Sequence, residues 1–145
     1  MASDSMLSGD CGPSYSAVKI YRLKDALLGV AGVFASCVEF VNWLKAGGDR
    51  EKLPEMEGVC ALKLTPKGIW FYDECATPYA VRDKFAALGS GEQAALAALH
   101  LGLSPKDAVK VAAKVDCGTG GRIVVKPLKA GPRGRTVRSP VPAGK

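Results

Sequence analysis

Histidine is nearly absent: His100 is the only one in 145 residues, which leaves no material for a histidine-rich metal site. No apolar run approaches the roughly 20 residues that a bilayer-spanning helix needs. The opening Met-Ala-Ser-Asp-Ser-Met has neither a basic n-region nor an apolar h-region, so it reads as lacking a secretory signal. The five cysteines are an odd number and form no C-x-x-C pair. They read as reduced, half-buried thiols of a cytoplasmic protein. No cofactor and no metal site are expected from these residues.

Acidic residues are missing from the last seventeen positions, which hold Lys129, Arg133, Arg135, Arg138 and Lys145. Without that segment the net charge of +6 falls to +1. The basicity therefore belongs to a Pro/Gly-rich stretch, residues 129–145, with too few apolar side chains to fold by itself. It reads as a disordered tail behind a single domain of residues 1–128. A solvated tail and a transient contact with an acidic partner both fit. A nucleic-acid partner is not expected, because along the chain the basic residues cluster only in this tail.

The domain itself is rich in patterned segments. Tyr15–Leu23 alternates and Ala26–Ala31 is continuously apolar, with Lys24-Asp25 as the connection of a hairpin. From Gly32 the period changes. Val33, Cys37, Phe40, Val41 and Leu44 share one helical face, and Gly47-Gly48 stops the helix. Val59–Leu64 and Ile69–Tyr72 read as strands joined by the turn Thr65-Pro66-Lys67-Gly68. Asp73–Asp83 reads as a loop, Phe85–Leu88 as a short strand, and Arg122–Leu128 as the last strand. Sheets with helices segregated outside them suit a layered α+β domain.

The most informative stretch is Ala87–Gly121. After Gly89-Ser90-Gly91, Ser90 and Gln93 have capping-box spacing ahead of an alanine-rich helix that Gly102 ends. Ser104-Pro105 with Asp107 then starts a second helix. Ala108, Val109, Ala112 and Val115 share its apolar face. Asp116-Cys117-Gly118-Thr119-Gly120-Gly121 closes it.

Gly89-Ser90-Gly91, the helix pair and Asp116-x-x-Thr119-Gly120-Gly121 together resemble the second half of a proteasome β subunit and of its HslV-type peptidase relatives. In that family the patterns are G-S-G and D-x-x-S-G-G, and Thr119 keeps the hydroxyl. Met1-Ala2-Ser3-Asp4, Lys19 in Val18-Lys19-Ile20-Tyr21-Arg22-Leu23, and Gly29 in Leu28-Gly29-Val30-Ala31-Gly32 match pieces of the first half. The likeness runs from Met1 to Leu128. It implies the four-layer α-β-β-α sandwich of the N-terminal-nucleophile hydrolases, N-terminally truncated, and peptide-bond hydrolysis by an N-terminal threonine whose own α-amine is the base. An α-amine titrates near ~8 and a lysine near ~10.4, so only the former is readily neutral at cellular pH.

By resemblance, Asp4 pairs with Lys19, whose charge favours the ionised nucleophile. Gly29 donates its N–H to the oxyanion, and Ser90, Asp116 and Thr119 orient the amine. Each residue also has an ordinary reading: a surface ion pair, close packing at Gly29, a helix cap at Ser90, a glycine-loop turn at Asp116. The resemblance further implies a polypeptide substrate, a homo-oligomeric ring and an ATPase unfoldase as partner, with no membrane. The threonine and its strand have no counterpart from Met1 onward, so an upstream start that supplies them is expected. A non-catalytic proteasome-like subunit and a small basic-tailed binding protein are the alternatives. One helix between Gly32 and Val59 replaces the family's two.

Overall fold

The computed structural model describes residues 1–8 and 14–129. Apart from Lys129, the expected tail lies outside them. The strands are β1 (Ala2–Ser3), β2 (Met6–Leu7), β3 (Tyr15–Ser16), β4 (Ile20–Arg22), β5 (Leu27–Gly32), β6 (Val59–Thr65), β7 (Gly68–Tyr72), β8 (Tyr79–Val81) and β9 (Val124–Val125). The helices are α1 (Phe34–Lys45), α2 (Glu92–His100) and α3 (Pro105–Val115). β4 to β8 form an antiparallel meander in chain order, and β1 with β9 and β2 with β3 form two small ladders.

Alternation along the meander decides its two faces. Leu28 and Val30 of β5, Val59 and Ala61 of β6, and Tyr72 of β7 turn to α1, which buries Cys37, Phe40 and Val41 against them. Phe40 is fully buried, edge-on to Tyr72 at 5.3 Å between ring centres and stacked on Trp43 at 5.7 Å. Each such side chain contributes about 1.5–3 kcal/mol by leaving water. Burial, with Cys60 nearby adding to it, pushes the Cys37 thiol up to about 11, so it serves here as a neutral core group. The opposite face carries Gly29, Leu62, Leu64 and Ile69 toward the β1–β9 ladder and the α2–α3 pair, with α3 resting on β1. The layer order is α1, meander, β1–β9 ladder, α2–α3: the expected α-β-β-α sandwich.

Small residues let the last layer close tightly. Ala98 and Leu99 of α2 meet Ala108 of α3, all buried. Gly102 takes φ +86° at the end of α2, and the Ser104 hydroxyl accepts the Asp107 N–H at 3.2 Å as the cap of α3.

The boundaries differ from the sequence pattern where the chain changes partners. Tyr15–Leu23 is two strands, because β3 pairs with β2 and β4 with β5. Between them the Ala17 N–H turns to the Ser5 carbonyl at 2.8 Å. Phe85–Leu88 joins no ladder, whereas β8 lies inside the expected loop and β9 spans two of the seven expected residues. Val115 is 71% exposed and does not belong to the buried face of α3. Between β5 and β6, α1 is accompanied only by one 3-10 turn, Arg50–Lys52.

Candidate active site

Asp4 leaves the end of β1 and is buried, although nothing in its neighbours' hydropathy demands it. Its carboxylate is fully occupied. Oδ1 and Oδ2 accept from the Lys19 ammonium at 2.8 and 3.1 Å, and Oδ2 also accepts the N–H groups of Met6 at 3.0 Å and Gly120 at 3.1 Å. Both side chains are more than four-fifths buried. An ordinary surface pair would be solvated and nearly worthless, whereas this one holds three chain segments together. Ser5 adds to the junction, because its buried hydroxyl accepts the Arg122 N–H at 2.8 Å.

The second cluster gathers on one oxygen. Asp116 Oδ2 accepts from Ser90 Oγ at 2.7 Å and Thr119 Oγ1 at 2.5 Å. Ser90 is therefore no helix cap: α2 begins from Gly91, with no side-chain hydrogen bond at its start. Two glycines make the convergence possible. A Cβ on Gly118 would come within 2.5 Å of Ser90 Oγ, and one on Gly91 within 2.5 Å of Thr119 Oγ1. The hydroxyls of Ser90 and then Thr119 hold the Asp116 carboxyl below its ordinary range, and the Lys19 charge acts the same way. A lowered folded value contributes stability above the unfolded value near ~3.9 and loses it as pH falls through the folded one. In a carboxyl-carbon NMR titration, Ser90→Ala is expected to raise the Asp116 midpoint. An unmoved midpoint would mean that this hydroxyl does not set it.

Gly29 is placed differently from its expected role. The Val30 N–H bonds the Lys19 carbonyl at 3.0 Å, so alternation turns the Gly29 N–H toward β6, opposite Leu62 and inside the ladder. It cannot also serve an oxyanion. What Gly29 provides is close packing, since a Cβ there would stand 3.1 Å from Met1 Sδ. Gly32 has the free direction: the Val33 N–H bonds the Gly58 carbonyl, just before β6, at 3.0 Å, which turns the Gly32 N–H to the opposite side, toward the chain that enters β4 at Lys19. The sequence signal was a glycine between an apolar strand and a helix, overshadowed by Gly29 within the same strand.

The two clusters share one cleft of about 420 Å³ between the meander and the α2–α3 pair. Asp4, Lys19, Ser90 and Thr119 line it together with apolar residues such as Ile20, Leu62, Phe85 and Leu99. β1 forms part of its wall. Met1 and Lys126 exchange both backbone bonds, at 3.1 and 3.0 Å, so the amide and carbonyl of Ala2 turn away from β9. Among the described residues no strand pairs with that second edge of β1. Nor do three His, Cys, Asp or Glu side chains come together among them as a metal would require.

No protein-family model and no curated protein matches the sequence. Solved structures do. Thiobacillus denitrificans BPH in complex with epoxomicin superposes with a TM-score of 0.62 at 21% identity, over 89% of this chain and 92% of that one. Another structure of Thiobacillus denitrificans BPH gives 0.62 at 21% identity, over 85% and 88%. Eukaryotic HslV from Trypanosoma brucei gives 0.64 at 19% identity, over 86% and 90%. The fold is that of the HslV-type peptidases. Within this HslV-type fold the Asp4–Lys19 pair and the Asp116 cluster sit at the polar end of the cleft, where the Lys19 charge reaches Asp116. No helix among the described residues is long and apolar enough to cross a membrane.

Proposed function

We propose that this chain is a peptidase subunit of the proteasome and HslV type, acting on polypeptide substrates within a ring of like subunits in the cytoplasm. The observation that carries the reading is the cleft: one wall joins a buried Asp4–Lys19 pair to the Ser90–Asp116–Thr119 cluster. An acid–base hydroxyl nucleophile needs those two environments side by side.

The remaining requirement is a hydroxyl with its own α-amine. We assign it to an N-terminal threonine on an extended segment that pairs with the second edge of β1 and lays its apolar side chains in the cleft. The Ser3 hydroxyl is buried on β1 with no hydrogen-bond partner among the described residues, and Ser3 lines the cleft. With the threonine at the polar end, the Lys19 ammonium favours its ionised hydroxyl. The Asp116 cluster orients the amine that takes the proton. The Gly32 N–H replaces Gly29 as the oxyanion donor. An ATPase that unfolds the substrate is the partner such a ring would take.

The test begins with the in-frame DNA ahead of the Met1 codon. Threonine followed by a short alternating strand is expected there. The chain that begins with it should hydrolyse fluorogenic peptides and be blocked by epoxomicin. Lys19→Ala should lower turnover about 10²–10⁴-fold when assayed at a temperature at which circular dichroism shows the variant still folded. A stop codon before any threonine, or turnover indifferent to Lys19→Ala, sinks the proposal.

A further inference from the structure

On the other side of the meander lies a second groove, of about 770 Å³, between the β4–β5 connection, the end of α1 and the β6–β7 turn. Five cations stand around it: Arg22, Lys24, Lys45, Lys63 and Lys67, against one carboxylate, Asp25. The chain without residues 129–145 carries only +1, so this concentration of charge is not the background of a basic protein. Chain order hid it, because the five residues come from four separate segments.

Two of the five have local explanations. Lys45 completes the last turn of α1, where the helix dipole favours a cation, and it lies 5.3 Å from the centre of the Tyr21 ring. Arg22 donates to the Pro127 carbonyl at 3.0 Å. Lys24, Lys63 and Lys67 have none. Lys63 is the most telling: Val59 and Ala61 on the same face of β6 are fully buried, and the pattern calls for a third apolar residue. Instead a lysine stands between Leu28 and Trp70 in the cross-strand row. The ion pairs among the described residues are Lys19–Asp4, Lys52–Asp49 and Lys110–Asp107, so none of the groove cations is held in an ion pair there.

The floor between the cations is apolar, formed by the half-buried Leu44 and Trp70, with the exposed Pro66 at its edge. We infer that this groove docks an acidic polypeptide segment of a partner protein, its carboxylates on Lys24, Lys63 and Lys67 and an apolar side chain on the floor. A phosphodiester chain would use the cations and leave the floor uncovered. Four of the five cations are also lysines, without the planar fork that suits phosphate. The groove faces away from the catalytic cleft, and the inference does not rest on the peptidase reading.

The test uses the full chain and fluorescence anisotropy at an ionic strength of about 0.05 M. The probe is a fluorescein-labelled peptide of repeating Glu-Glu-Leu, about twelve residues long. It should bind, and its Gln-Gln-Leu counterpart should bind at least about tenfold more weakly. Lys24→Glu/Lys63→Glu/Lys67→Glu should weaken the acidic peptide at least about tenfold, while Arg133→Gln/Arg135→Gln/Arg138→Gln changes it less than about twofold. If the triple variant melts early, Lys24→Glu/Lys67→Glu, confined to the two turns, should still weaken binding at least about threefold. Failure of the acidic peptide to bind overturns the inference. So does loss of binding only in the arginine variant, or tighter groove-dependent binding of a single-stranded oligothymidylate of the same length.

Discussion

Replacing Asp4 with alanine is expected to cost about 3–5 kcal/mol of folding stability, the range for severing a buried ion pair. The loss has three parts. The Lys19 ammonium is left more than four-fifths buried without its counter-charge. The Met6 and Gly120 N–H groups lose the shared acceptor that ties β2 to the loop after α3. The junction of residues 4–6 with residues 120–122 then rests on backbone bonds and the Ser5 hydroxyl alone. Urea unfolding followed by circular dichroism measures the cost, and Asp4→Asn, which keeps an acceptor, should fall between wild type and alanine. A cost under about 1 kcal/mol would show that the pair is a solvated surface contact after all.

The other large effect is expected far from the cleft. Phe40→Ala should destabilise the chain by about 3–5 kcal/mol, because it removes a fully buried ring and leaves a void beside Tyr72, Trp43 and Val41. Small residues around it, Cys37, Ala61 and Ala76, offer little that could move into the space. Phe40→Leu, which keeps most of the volume, should recover more than half of the loss. The two variants separate the sources of stability: Asp4 acts through ladders and loops, Phe40 through the meander and α1. Their costs should add, since no partner is shared.

Phe40 shows what the sequence made plain. Its helical spacing with Cys37, Val41 and Leu44 follows from the 3.6-residue period, and the changes of period suit a layered α+β domain, whereas the four-layer order came from the resemblance. Asp4, Lys19, Ser90, Asp116 and Thr119 were legible as chemistry only through the resemblance, because polar residues in short strands and loops have no period to betray them. Ser90 illustrates the limit. Its spacing to Gln93 fits a capping box, and only the fold brings Asp116, twenty-six residues away, to its hydroxyl. Gly29 and Gly32 differ by which edge of β5 their amides face, and that is fixed by register with β4 and β6. The basic groove was invisible for a related reason: charge summed along a chain does not report what folding gathers.

The meander runs in chain order from β4 to β8, and α2 and α3 form a hairpin of their own. Each unit closes almost entirely with near neighbours in sequence, the arrangement that folds fastest. Lys19 enters the first unit, Ser90 precedes the second, and Asp4 and Asp116 lie outside both, before the first and just after the second. Hydrogen exchange should therefore reveal two slowly exchanging blocks with the polar end of the cleft at their seam. A protein divided in this way can loosen the cleft between its two units while both cores stay shut.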